Sequence, residues 1–446
     1  MDSHRVNFLA SSGVRRLSPR RPPLQTLSCL GLCLLSQGLY AAEYSVKPRA
    51  QLSAEFDDNK LLRNSVNTPR HDSVVGSILD ISAELAIATE TSTLNLTPRG
   101  RLARYTEYTE TNKIGNQTLD RPVDLDYDNV YVDFGGKREF ERVVLEMEGN
   151  YTRDTVLTSE TLADQPSGFR LVNTPHQSIS VNPSVTYEVS ERNALKFSGS
   201  YADVTYEEAP GYSDYTYQLA SLTDLHKLTE RDEITGTVFY SRFEAPEPDQ
   251  PLTLLVTSNQ SDNIGFQAGY TRIFSETLKG SIGAGFISSD LEFAQFINLP
   301  TGLTEITREK TSDIGLLLDA SLEKEFENTT LNGTYSRSVS PSGYAAQDTR
   351  DALRLSAIHN FTERLESGMF FDYTQSESQG GGTAGTQQRD YLRLEARLRY
   401  RLSEYWSLIG SYIYSRQDSD NAPEAAESNA ALVSLSYDGQ KWSMSR

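Results

Sequence analysis

From residue 43 onward the chain alternates apolar and polar residues in short segments, and the connections between them alternate long and short. In Tyr391-Leu392-Arg393-Leu394-Glu395-Ala396-Arg397-Leu398-Arg399-Tyr400-Arg401-Leu402, a two-residue period puts Leu392, Leu394, Ala396, Leu398, Tyr400 and Leu402 on one face. Arg393, Glu395, Arg397, Arg399 and Arg401 crowd charge onto the other. A strand that is greasy on one side and fully charged on the other fits a wall between lipid and a wet lumen.

Composition narrows how such a wall is built. Hydrophobic residues make up 37% of the chain and mean hydropathy is −0.49. No segment past residue 41 approaches the run of about 20 apolar residues a membrane helix needs. Only helices and closed barrels satisfy every backbone polar group in lipid, so a spanning chain of this kind must use strands. The 24 Tyr and 17 Phe suit aromatic girdles at the two membrane interfaces, although strands in general favour aromatics. A net charge of −19 argues against nucleic-acid binding, which needs a cationic face.

Residues 1–41 read as a secretory signal peptide, with residues 42–446 as the barrel. Arg15, Arg16, Arg20 and Arg21 form the basic region, Leu24 to Leu35 the apolar run, and Tyr40-Ala41-Ala42 the small residues for cleavage. Both cysteines, Cys29 and Cys33, fall inside this signal, so the remaining chain has no thiol chemistry.

Strands are expected at 43–56, 74–88, 93–106, 124–135, 141–153, 177–189, 194–206, 214–225, 232–243, 261–273, 277–288, 312–325, 329–339, 349–360, 364–375, 389–401, 405–415 and 428–438. Long polar stretches such as Asp57–Ser73, Asp154–His176, Ser289–Thr311 and Ser340–Asp348 follow the odd strands. Tight turns such as Thr89–Ser92, Phe274–Glu276, Phe326–Asn328 and Phe361–Glu363 follow the even ones. This is the asymmetry of an outer-membrane barrel, with long extracellular loops and short periplasmic turns. The expected fold is therefore all-β: a transmembrane antiparallel up-and-down barrel of about 18 strands in the bacterial outer membrane, both termini periplasmic. An array of small β-sandwiches would also show hairpins, but would not alternate loop length so regularly. Pro48, Pro98 and Pro183 fall inside strands, where a closed barrel has no edge to excuse a missing N–H, so bulges or strand ends are expected there.

With the apolar set outward, the candidate pore-lining residues are Lys47, Arg49, Glu84, Arg99, Arg101, Glu146, Glu148, Glu323, Arg393, Glu395, Arg397, Arg399 and Arg401. Such charges can line an aqueous pore and pair with acidic sugars, or simply pair with one another. Phe239, Phe243 and Phe370 could supply a lumenal aromatic track, and Asp154–His176 and Ser289–Thr311 could plug the lumen. Enzymatic readings find little support: no Gly-x-Ser-x-Gly elbow, His-Glu-x-x-His pair or phosphate loop occurs. His71 beside Asp72 is the one pair worth naming, and solvation explains it better than catalysis. Asp57-Asp58-Asn59 lacks the glycine and distant glutamate of a calcium loop and reads as a turn tip. No metal, cofactor or catalytic residue is expected.

The first strand runs into Phe56-Asp57-Asp58-Asn59-Lys60-Leu61-Leu62, and the second hairpin carries Leu94-Asn95-Leu96-Thr97-Pro98. Together with the strand rhythm, these segments resemble the β-barrel porin 2 family. The resemblance implies an outer-membrane pore associated with exopolysaccharide or exosortase loci, passing a glycan outward with a periplasmic polysaccharide-export protein. It also implies outer-membrane lipid and the barrel-assembly machinery as partners. The chain ends Lys441-Trp442-Ser443-Met444-Ser445-Arg446 without a terminal aromatic, leaving assembly recognition to Tyr437 or Trp442 and the closing register open. A general diffusion porin for small sugars or anions, and a plugged structural or adhesive barrel, are the alternatives.

Overall fold

The computed structural model describes residues 42–445, except 65–69, 115–116, 162–172, 208–211, 247–254, 300–301, 344–345, 379–387, 421 and 423. The signal assignment at 1–41 lies outside these described residues. Eighteen strands form the wall: β1 Glu43–Asp57, β2 Val74–Ala88, β3 Ser92–Tyr105, β4 Tyr127–Glu139, β5 Val143–Thr155, β6 Pro175–Ser190, β7 Asn193–Tyr206, β8 Tyr215–Lys227 and β9 Asp232–Ala245. They continue with β10 Leu255–Ser275, β11 Leu278–Leu299, β12 Gly302–Glu325, β13 Thr329–Ser342, β14 Ala346–Asn360, β15 Leu365–Ser378, β16 Gln388–Arg401, β17 Trp406–Ser419 and β18 Ala426–Asp438. Each pairs antiparallel with its sequence neighbour, and β1 pairs with both β2 and β18, so the sheet closes.

The outward face is an apolar belt. Leu52, Phe56, Ile81, Leu102, Val130, Phe197, Val238, Ile264, Phe286, Ile314, Leu355, Leu398 and Val433 are all exposed, and each alternates with a polar or small inward neighbour. A closed antiparallel barrel with this belt is a bacterial outer-membrane protein. At the tight-turn end, Phe274, Phe326, Phe361 and Trp406 are exposed aromatics. Arg272 stands 5.6 Å over the Phe274 ring and Lys324 5.2 Å over Phe326, the pairing of cation and ring expected at a headgroup layer.

Pro98 and Pro183 are absorbed without bulges, whereas Pro48 sits at a one-residue shift of register, as at a bulge. Pro98 leaves a gap in the β2–β3 ladder between Ser82↔Arg99 and Leu85↔Leu96, with the register unchanged on either side. Its other neighbour pairs normally, Pro98↔Val132. Pro183 does the same between β6 and β7, where pairing stops at Ser198↔Ser184 and resumes at Tyr201↔Val181. Pro48 lies opposite the break where β18 ends at Asp438 and a tail strand, Trp442–Ser445, resumes pairing at Val46. A ring that cannot donate costs least where its partner strand is itself interrupted.

That break also fixes the closing register. Asp438 pairs with Arg49, Gly439 N donates to Pro48 O at 2.9 Å, and Tyr437 stacks on Trp406 with centroids 5.0 Å apart.

Two expected loops are ordered strand instead. Glu107–Val123 contains Tyr108–Ile114 and Gln117–Val123, which join Arg70–His71 in a small separate sheet. Ser289–Thr311, expected as an irregular plug, is paired: β11 and β12 run together to Leu299↔Gly302, continuing the wall. Near its end Arg308 contacts Glu292 at 2.6 Å and Glu305 at 2.9 Å, and Lys310 contacts Glu292 at 2.7 Å. Hydrogen bonds from Lys310 and then Arg308 hold the Glu292 carboxyl below its ordinary range.

The Asp-Asp-Asn segment is not an exposed turn tip. Asp57 and Asn59 are buried, and the segment clasps β1 to β18. Asn429 donates from its backbone N to Asp58 Oδ1 at 2.7 Å and from Nδ2 to Asp58 Oδ2 at 2.8 Å. Ser428 Oγ donates to Asp57 Oδ1 at 2.8 Å, and Asn59 Nδ2 donates to Glu427 O at 2.7 Å. Lys60 Nζ sits 2.7 Å from Glu55 and 3.9 Å from Asp57, supplying a cation to this acidic group. Leu62 takes φ 46°, held by Asn59, whose Oδ1 accepts from Arg63 N at 2.9 Å. Asp58→Ala should destabilise barrel closure by about 1–3 kcal/mol, since it orphans buried donors. The readout is a lowered temperature for the heat-induced gel-mobility shift, with the exposed turn variant Glu90→Ala unchanged.

Candidate functional site: the lumen

All thirteen candidate residues lie on the inner face. Paired partners share a face, so Lys47↔Glu84 fixes the register of β1 and β2, Lys137↔Glu146 that of β4 and β5, and Arg393↔Asp372 that of β15 and β16. Their surroundings divide them.

On the closing wall the charges neutralise one another. Lys47 and Arg49 each lie 3.1 Å from Asp438, Arg49 also 3.2 Å from Glu84. Arg99 holds Asp80 through two guanidinium nitrogens and stands 5.4 Å over the Tyr131 ring. Glu55 lies between Lys60 and Tyr105, whose hydroxyl donates to it at 2.6 Å; Arg101, one of the candidates, is close enough to act on it through space. This side is a cross-braced wall.

On the β4–β6 side Glu146 meets Lys196 at 3.6 Å and accepts from Ser184 Oγ at 3.4 Å. Glu148 and, on β12, Glu323 have no ion-pair partner among the described residues. Asp319, also on β12, accepts a hydrogen bond from Gln267 Nε2. The inner face of β6 is otherwise small and hydroxylic, with Ser178, Ser180 and Ser184.

The β14–β16 wall is cationic. Toward the long-loop end Arg354 lies 3.7 Å from Asp372 and Arg393 2.8 Å from Glu395. Lower down, the arginines form no ion pair among the described residues, although Glu366 lies opposite Arg399 in the ladder. Arg397 stacks 4.7 Å over Phe370, in room left by Gly368, where a side chain would collide with the ring. Arg399 has no ion-pair partner among the described residues, and its Nε is buried without an acceptor. Arg401 donates only to the backbone oxygen of Glu363, at 3.4 Å. Of the aromatic track, Phe370 serves Arg397, Phe239 lies across Gly265, and Phe243 is fully buried beside Tyr215, 5.5 Å away.

The long-loop end of the lumen is narrowed from two sides. After β5 a helix, α1 Val156–Thr161, tucks Leu157 into an apolar cluster with Leu61, Val74, Tyr108 and Leu125. The described start of Asp154–His176 thus does fold into the mouth. The second element was not foreseen. The β13–β14 hairpin leaves the wall and crosses the mouth, burying Ser342, Gln347 and Asp348 to 1% exposure each. At its tip Gly343 O accepts from Ser213 N at 2.7 Å, six strands away around the ring on the β7–β8 connection. Tyr206 and Tyr212 pack against Gly343 so closely that no side chain fits there. The platform continues through His176, whose ring is 5.0 Å from Tyr206 and whose Nδ1 is 2.8 Å from Asp154. The sequence signal for this strap was the small, nearly uncharged run Ser340-Pro341-Ser342-Gly343, the composition that lets one segment cross closely over another. Gly343→Val should push the strap off Tyr206 and raise single-channel conductance by about two-fold in planar bilayers; an unchanged conductance would show that the strap does not limit flow.

No protein-family model matches the chain, and no curated protein matches it significantly. Among solved structures it is similar to the outer membrane protein OpdK from Pseudomonas aeruginosa, at 11% identity and TM-score 0.39, covering 91% of this chain and 100% of that one. It is similar to Acinetobacter baumannii OccAB2 at 10% identity and TM-score 0.42, covering 92% and 100%. It is also similar to the ferric-catecholate import receptor Fiu from E. coli at 9% identity and TM-score 0.41, covering 88% and 81%.

Proposed function

We propose that the chain is a passive outer-membrane pore for small hydrophilic solutes, with a preference for anions, and that its tight-turn end faces the periplasm. The observation that carries this reading is the arginine stretch Arg397–Arg399–Arg401 on the inner wall, which forms no ion pair among the described residues although Glu366 lies opposite Arg399 in the ladder. A charge whose counter-ion is not supplied by the protein attracts one from the solution, and low-dielectric walls focus that field. Phe370 backs Arg397, so a flat anion such as a carboxylate-bearing ring could lie against both. Glu148 and Glu323 on other parts of the wall repel the same solute toward the arginines. The thirteen charges therefore act unequally: the braced closing wall shapes the pore, and the lower arginine stretch selects.

A second reading follows from the family resemblance: export of a polysaccharide with a periplasmic export protein as partner. The strap weighs against it, since a polymer needs a wide continuous path.

In bilayers under a potassium chloride gradient, the reversal potential should report chloride preference despite the acidic chain. Arg397→Glu with Arg399→Glu should lower the chloride-to-potassium permeability ratio by about three-fold or more. A ratio that does not move would remove the anion reading. Loss of surface polysaccharide on gene deletion, with small-solute permeability unchanged, would favour the second reading.

A further inference from the structure

The least-paired join in the wall lies between β12 and β13. Their ladder runs from Leu318↔Arg337 to Glu325↔Thr330, eight residue pairs, the shortest between wall neighbours among the described residues. Over this ladder, on the outward face, is a groove of about 420 Å³. Gly333 and Ala357 form its floor, and the exposed Leu322, Leu355 and Met369 stand along its sides. The groove exists because residue 333 has no side chain: a Cβ there would come within 3.3 Å of Leu355 Cδ2.

Strand pairing gives the groove its direction. One rung is Lys324↔Leu331↔Ala357↔Met369, and the next is Leu322↔Gly333↔Leu355↔Phe371↔Leu394. The depression therefore crosses the strands from β12 to β16, a distance of roughly 19 Å at the usual spacing between strands. The hydrocarbon of one leaflet is about 15 Å deep, so a single acyl tail lying obliquely fills it.

Lys324 closes the β12 end. It shares the outward row of Leu322, so its side chain lies on the lipid face and not in the lumen. A lysine at the margin of an apolar belt ordinarily reaches past it to water. This one is held at the groove, with its Nζ 2.8 Å from Thr277 Oγ1 and no carboxylate within ion-pair distance among the described residues. Thr277 Oγ1 is in turn 3.3 Å from Ser275 Oγ. Only one of these two hydroxyls can donate to the other, so the second keeps a proton to offer. A cation and a hydroxyl together at the edge of the belt suit an anion with several acceptor oxygens. At that depth the bilayer supplies phosphate esters.

We propose that this groove binds one anionic glycerophospholipid, with an acyl tail over Gly333 and Ala357 and its phosphate on Lys324 and the Ser275–Thr277 hydroxyls. The bound lipid staples β12 to β13 where their ladder is shortest, because a tail in contact with both strands adds dispersion attraction across the join. The site lies wholly on the outer face and is independent of what the axial path conducts.

The test reconstitutes the full chain in phosphatidylcholine vesicles with and without phosphatidylglycerol. Native mass spectrometry reads the lipid retained per barrel, and the heat-induced gel-mobility shift reads stability. The unaltered chain should retain one phosphatidylglycerol in preference to phosphatidylcholine, and its shift temperature should rise by several degrees when phosphatidylglycerol is present. Lys324→Gln should cut that preference about five-fold, the worth of one basic side chain at an anionic surface, and remove the rise. Gly333→Leu, or Ala357→Leu where the first variant does not fold, should lower retention of both lipids several-fold. Arg138→Gln, which removes the cation over Phe140 on the far side of the ring, should alter neither reading. Equal preference in Lys324→Gln and the unaltered chain overturns the headgroup site, and a shift temperature indifferent to phosphatidylglycerol overturns the staple. A filled groove that leaves retention intact overturns the tail site, and if it also splits an oligomer the groove is a contact between copies.

Discussion

The whole architecture depends on backbone hydrogen bonding in a medium that offers none. Lipid cannot satisfy a bare N–H or C=O, so a spanning sheet must close on itself, and every strand must find two neighbours. Closure here brings β1 against β18, and the Asp57-Asp58-Asn59 clasp fastens the pair at the long-loop end. Where the rule is relaxed, as along β12 above Leu318, the exception is localised and sits beside the strap that causes it. The strap and the open edge lie side by side: β13 parts from β12 after Arg337 while staying paired with β14, and the tip they share reaches Ser213 across the mouth.

The wall was legible in the sequence because period two is a local property. Fifteen of the eighteen strands fall within about four residues of where alternation places them, β10, β11 and β12 running longer at the long-loop end, and the inner face of β16 can be read directly from Arg393 to Arg401. What could not be read was whatever depends on meetings between distant segments. Gly343 against Tyr206 and Ser213, or Asn429 against Asp58, leave no periodic trace. The segments that departed most from expectation, 107–123 and 289–311, are polar stretches, each folded back on itself as a hairpin, the first also paired with Arg70–His71 and the second with the start of β10, so composition marked them as loops.

Charge on the inner face likewise has two functions that sequence alone does not separate. Arg49 and Arg397 are the same residue type at equivalent inward positions. One is held between Asp438 and Glu84, the other lies on a phenylalanine ring with no acid beside it. Burial and pairing decide between a braced charge and an open one. The distinction turns on whether a carboxylate stands on the adjoining strand at the matching height.

The clasp has a kinetic corollary. Asp58 and its Asn429 partner are 371 positions apart, so the ring's two free edges cannot meet until nearly the entire polypeptide has been made. Until then each edge presents a row of unused donors and acceptors ready to pair with any stray strand. In a barrel of this kind the final hydrogen bonds are also the ones that end that vulnerability.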